Sequence, residues 1–176
     1  MAEFIQKHKL FSFYSALMIV VVLIAIFAPW LAPGDAFSSN LSQALQAPSS
    51  QHWFGTDKLG RDVLSRIIYG TQLSLFMGVS IVVIMVSIGT IIGAVAGYFG
   101  GKIEMVLMRL ADIMLSFPGV VLAIAIAGIL GGSIVNTIIA LSVVGWAKYA
   151  RLVRSMTLKV RGEEYVTAAV MMGAST

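Results

Sequence analysis

Few residues in this chain have the type and spacing to do chemistry. The histidines are His8 and His52, neither placed to act as a base inside a membrane. No acidic pair falls at the centre of an apolar run, and no Gly-x-Ser-x-Gly elbow is present. Residues 97–102 imitate a phosphate loop, but Lys102 is followed by Ile103 rather than Ser or Thr, and the first glycine stands one residue too close. The stretch therefore reads as an inside turn. Ten methionines suggest soft-metal handling or, more simply, gap-filling in apolar helices. With no cysteine there is no disulfide, thiolate metal site or thiol nucleophile. The pattern that remains is Glu163-Glu164-Tyr165-Val166-Thr167-Ala168-Ala169-Val170-Met171-Met172-Gly173. It predicts a short helix with acid at its start, alanines for close approach and glycine as its stop. Such a helix can rest on lipid or be offered to a soluble partner, and composition does not choose between them.

The elements that must position it are membrane helices. Of 176 residues, 59% are hydrophobic and 11% charged, and the mean hydropathy is +0.93. Soluble domains carry roughly 25% charged residues, so a soluble enzyme is excluded, and disorder with it. The net charge of +4 reads as a topology signal and not as a footprint for nucleic acid. Residues 10–34 form an uncharged run of 25, long enough for one crossing, which Pro29, Pro33 and Gly34 end. A signal peptide is the competing reading, but its apolar region is shorter, about 7–15 residues.

Two further uncharged runs, each of 35 residues, lie at 67–101 and 113–147. The first holds a second crossing near 73–98. The second, divided by the turn Gly131-Gly132-Ser133, predicts a third helix near 103–130, kinked at Pro118, and a fourth near 134–152. Arg109 and Asp112 fall at i,i+3 on the third, where they can pair, and near the interface Arg109 can extend its head to water. With the N-terminus in the cytosol, nine basic residues lie inside (Lys7, Lys9, Lys102, Arg109, Lys148, Arg151, Arg154, Lys159, Arg161) and three outside (Lys58, Arg61, Arg66). Nine against three favours that orientation. Trp30 and Tyr98 fall at the predicted interfaces.

Gly89, Gly93 and Gly97 recur every fourth residue, which allows a close helix seam, either lining a pathway or simply packing a bundle. The outside segment 53–75 predicts a short amphipathic helix, capped by Thr56 or Asp57, with Asp62 and Arg66 at i,i+4 and Leu59, Val63 and Ile67 on one face. It is either a lid on the bundle or a docking surface for an external partner.

The pattern at 164–173, with Glu164, Ala168, Ala169 and Gly173 in position, resembles the EAA loop of ABC-importer permeases. Residues 54–66 (Phe-Gly-Thr-Asp-Lys-Leu-Gly-Arg-Asp-Val-Leu-Ser-Arg, including Gly60, Arg61, Asp62 and Arg66), Ser116-Phe117-Pro118-Gly119 and the wording of 146–155 are similar to the second permease subunit of dipeptide, oligopeptide and nickel importers. The resemblance implies an all-α, multi-pass type I importer fold in a bacterial or archaeal cytoplasmic membrane, with four of six transmembrane helices present. It divides the chain into a tail and first helix (1–34), an external loop (35–69) and a permease core (70–176). It implies a sister permease, two cytosolic ATPases that use the ATP, an extracytoplasmic solute-binding protein, and no cofactor on this chain. The EAA helix would dock in a cleft of an ATPase. The cargo would be nickel, chelated, or short peptides; the Gly-Gly-Ser turn and residues 146–155 lean towards nickel. The family continues past the EAA glycine, so a fragment of a longer permease is expected. The rivals are a non-transporting membrane scaffold and an intramembrane enzyme.

Overall fold

A computed structural model describes residues 9–174; Lys7 and His8, used above, lie outside the described residues. Every regular element among them is helical: α1 Lys9–Ile26, α2 Ala28–Leu31, a 3-10 turn Leu41–Gln43, α3 Val63–Phe99, α4 Gly101–Ser116, α5 Gly119–Leu130, α6 Ile134–Arg161 and α7 Glu164–Met171. The chain divides into two compact units, residues 1–76 and 77–176.

In the first unit, α1 is predominantly apolar after its opening Lys9 and long enough to cross a membrane. It ends at Ile26, and Pro29 falls in the first turn of α2, where its missing N–H is no loss. The following loop is held by backbone bonds, among them Asn40 N–H to the Leu59 carbonyl (2.9 Å), Leu45 N–H to that of Asp57 (3.0 Å) and Thr56 N–H to that of Gln46 (3.1 Å). At Gly60, φ is +73° and a Cβ would run into the Asn40 carbonyl, so only glycine lets the two strands of the loop approach.

The separate amphipathic helix predicted for 53–75 is not formed. Residues 53–62 are loop, and the rest are the opening turns of the 37-residue α3. Neither Thr56 nor Asp57 caps that helix: Asp57 binds the Leu59 and Arg61 N–H groups within its own turn, and Thr56 Oγ1 accepts from Gln46 N–H. Asp62 caps it instead, accepting from Ser65 N–H at 2.7 Å. Leu59 therefore lies off the helix that carries Val63 and Ile67. Nothing stops α3 between Arg66 and Leu73, because a lone Gly70 costs only about 1 kcal/mol against alanine. At about 1.5 Å per residue α3 is about 55 Å long, well beyond the roughly 30 Å hydrocarbon layer.

In the second unit the predicted third helix is broken, not kinked. Pro118 lacks the N–H that would continue α4, and its ring pushes Phe117 into an extended conformation (φ −88°, ψ 145°). α5 leaves at 91° to α4. The fourth helix does start after Gly131 and Ser133: Ser133 Oγ accepts from Asn136 N–H at 3.1 Å, and Asn136 Nδ2 donates back to the Leu130 and Gly131 carbonyls. It runs on to Arg161, so the basic residues 148–161 ride on the same helix instead of following it. The predicted fourth crossing, residues 134–152, falls within α6. Among the described residues α1 and α3 are long and apolar enough to span, and α4 with α5 makes a third only if the bent pair is taken as one.

Candidate functional site

The second unit is organised around α6, and small residues make that possible. Ala140, Ala147 and Ala150 are fully buried, and the glycines of α3 face the same helix. A Cβ on Gly89 would lie 2.5 Å from the Tyr149 Cβ and 2.8 Å from the Trp146 carbonyl; on Gly93 it would meet the Ala150 carbonyl and, at 2.9 Å, the Val153 Cβ. On Gly97 it would be 2.7 Å from the Thr157 Cβ. Contacts this short against backbone leave no room for a side chain, so α3 and α6 approach as closely as their main chains allow.

Charge then fixes α4 against α6. The Arg154 guanidinium reaches Glu104, with Nε to Oε1 at 2.6 Å, and Arg151 pairs with Asp112. The permitted Arg109–Asp112 pair is therefore not made: α6 brings Arg151 to Asp112, and the carboxylate turns towards it. These pairs are partly or largely open to solvent, where such bridges contribute about 0–1 kcal/mol. They set the register of α4 while the small-residue seam holds α3. Sequence reading missed Glu104 and Arg154. The available signal was that charges flanking apolar helices tend to find one another.

Beyond the seam α6 ends at Arg161, whose guanidinium donates to the Tyr98 carbonyl (3.2 Å), and one residue, Gly162, turns the chain. Its N–H bonds the Leu158 and Lys159 carbonyls. Glu163 precedes α7 in an extended conformation, and Glu164 opens the helix, where the dipole favours its charge. At the other end Gly173 has φ +92°. Its N–H bonds the Val170 carbonyl at 3.0 Å, while Ala174 N–H bonds that of Ala169 at 3.0 Å. Those two bonds form a Schellman stop.

α7 is thus tied to α6 by a two-residue joint, Gly162 and Glu163, and left otherwise open. Glu164 and Ala168 are exposed, Ala169 half-buried. Tyr165, Val170, Met171 and Met172 are exposed, the two methionines by more than 80%. Among the described residues Glu164 has no ion-pair partner. A groove of about 510 Å³ lies between the end of α3 and α7, lined by Tyr98, Phe99, Arg161, Tyr165, Val166 and Ala169. Apolar side chains around an unpaired carboxylate suit a protein partner with a basic cleft.

The loop of the first unit brings together the other predicted residues, with different partners. Arg61 and Arg66 both bind Asp57, Arg61 through Nε at 2.9 Å. The Arg61 N–H first, with its guanidinium and the Leu59 N–H, holds the Asp57 carboxyl far below the usual carboxylate range and outweighs the opposing effect of burial, which is second in size. The Asp62–Arg66 spacing carries only a backbone bond, because the Asp62 oxygens are committed to Ser65 N–H and, at 3.0 Å, to His52 Nδ1. Burial raises Asp62, but the Ser65 and His52 hydrogen bonds outweigh it and the net shift is downward. Ser65 Oγ accepts from Gly34 N–H (3.0 Å), which ties the loop's entrance to the start of α3. Among the described residues no group of three His, Asp or Glu side chains could hold a metal ion.

Among the described residues, an all-helical chain with helices long and apolar enough to span defines a multi-pass membrane protein. Residues 89–176 match the family of binding-protein-dependent transport system inner membrane components, and residues 5–48 match the N-terminal transmembrane domain of oligopeptide transport permease C. The chain belongs to this permease family. It is 44% identical to a dipeptide transport system permease protein of Alkalihalophilus pseudofirmus, over 96% of this chain and 56% of that one. It is 37% identical to the oligopeptide transport system permease protein of Bacillus subtilis, over 97% and 56%. It is 43% identical to a glutathione transport system permease protein of Escherichia coli, over 90% and 52%. The chain thus spans about half the length of these relatives.

Proposed function

We propose that the chain is part of a membrane permease subunit that moves short peptides into the cell. Hydrolysis of ATP occurs on two separate ATPase subunits, and an external solute-binding protein delivers the cargo to this chain and a sister permease. The observation that carries the reading is α7. It is an open apolar helix with an unpaired Glu164, joined through Gly162 to an α6 packed on glycine, and so able to pass a partner's movement into the membrane. Three relatives named for dipeptide, oligopeptide and glutathione transport support peptides over nickel, the cargo towards which residues 146–155 lean. The test is uptake by the intact transporter. Labelled dipeptide accumulates only with ATP and binding protein present, and chelated nickel neither accumulates nor competes. Nickel accumulation that excess dipeptide leaves unchanged would overturn the peptide assignment.

The proposed topology places the N-terminus and α7 in the cytosol and residues 35–62 outside, on the nine-to-three bias of basic residues. The chain has no cysteine, so single ones report cleanly. Gln46→Cys reacts with an impermeant thiol reagent added outside intact cells, and Lys159→Cys reacts only after the membrane is opened. Labelling of both from the same side would refute the arrangement.

A further inference from the structure

We infer that α4 is an interfacial helix that lies in the plane of the membrane and binds the phosphate-bearing headgroups of anionic lipids through Lys102 and Arg109. Four observations lead there. First, α5 is apolar on every side, with Val120, Val121, Ile124 and Ile129 all exposed, as suits a segment within lipid. Second, α4 leaves it at 91°. With α5 directed into the hydrocarbon layer, which its 12 residues are too short to cross alone, α4 runs along the surface.

Third, the outward face of α4 is divided lengthwise. At about 100° per residue Ile103, Val106, Leu110 and Ile113 form one exposed stripe, turned well away from the buried Ala111. Lys102 and Arg109, seven residues apart, form an adjacent exposed line. An apolar stripe beside a basic edge is the arrangement of helices that sink one face into acyl chains and hold headgroups with the other. Fourth, the acidic residues of α4 are already used, Glu104 by Arg154 and Asp112 by Arg151. Among the described residues Lys102 and Arg109 have no carboxylate partner. The free charge of this edge is therefore positive, which is complementary to an anionic leaflet.

The leaflet, the cytoplasmic one, rests on the topology proposed above; lipid contact itself depends neither on sidedness nor on the solute carried. The test uses the intact transporter in vesicles of phosphatidylethanolamine with or without phosphatidylglycerol. Fluorophores on Val106→Cys and Leu110→Cys are quenched by nitroxide-bearing lipid several-fold more than one on Leu107→Cys, which lies nearer the α6 side. Equal, weak quenching at all three sites would mean that protein, such as the sister subunit, covers the stripe, and would overturn the proposal. Retention of phosphatidylglycerol over phosphatidylethanolamine, read by lipid mass spectrometry, falls by about fivefold for each basic residue removed in Lys102→Gln and Arg109→Gln. Inorganic phosphate at millimolar concentration leaves the wild-type preference unchanged. Displacement of the lipid by phosphate, or an undiminished preference in the double variant, would equally refute it.

Discussion

Gly173→Asp and Glu164→Lys each abolish solute uptake, while the subunit still inserts and still pairs with its sister permease. The two act differently. A Cβ on Gly173 meets nothing within 4 Å, so the damage is conformational and not steric. At φ +92° an aspartate is strained by about 1–3 kcal/mol, enough to release the Val170 and Ala169 carbonyls from the stop and let the end of α7 unwind. Asparagine tolerates a left-handed turn better than most residues, whereas a β-branched side chain resists it, so Gly173→Asn retains part of the uptake and Gly173→Val none, a gradation between two neutral side chains that a purely electrostatic role would not produce. Glu164→Lys leaves the backbone alone but places a cation at the helix N-terminus and reverses the charge offered to a basic cleft. Co-purification separates the mechanisms: the ATPase is lost with Glu164→Lys, and with Gly173→Asp it either detaches or hydrolyses ATP without transport. Normal uptake in both variants would remove α7 from coupling altogether.

Gly93→Leu separates α3 from α6. The added Cβ would meet the Ala150 carbonyl and lie 2.9 Å from the Val153 Cβ and 3.0 Å from the Arg154 nitrogen. Backbone atoms of a continuous helix cannot move aside singly, so the helices must part along their length. Overpacking of this kind costs about 1–3 kcal/mol where side chains can adjust, and a rigid seam places the effect at the upper end. Gly78→Leu is the matching control. It sits on the same helix and makes the same change of size, but nothing lies within 4 Å of its Cβ. The expected measurement is loss of a monodisperse, detergent-stable transporter for Gly93→Leu, with Gly78→Leu close to wild type. Like behaviour of the pair would show that the glycine stripe does not hold these helices together.

The two outcomes are linked through α6. That helix carries the seam over residues 146–157, the ion pairs to Glu104 and Asp112 from Arg154 and Arg151 on the same turns, and α7 at its end. A movement at α7 is transmitted only if α6 stays stiff and attached, so Gly93→Leu is also expected to uncouple any transporter that survives assembly.

Much of this was legible in the residues. Long uncharged runs could be satisfied only as helices in lipid, because every backbone polar group there must bond within its own segment. Caps and stops are equally local: Ser133, Gly131 and Gly173 act on groups within a few residues, so their positions marked the ends of α5, α6 and α7 before any packing was considered. The four-residue glycine period named a face of α3 without naming what covers it.

Only the tertiary structure decided the partners. Asp112 had Arg109 within reach on its own helix, and Arg66 had Asp62; in each case the folded chain supplied another choice, Arg151 for Asp112 and Asp57 for Arg66. Spacing along a helix states which pairs are permitted, whereas the pair that forms depends on which competing group the fold delivers at hydrogen-bond distance. The break at Pro118 has the same origin. A proline removes one bond and leaves a bend of any size available, and the 91° observed is set by where α4 and α5 each pack on α6.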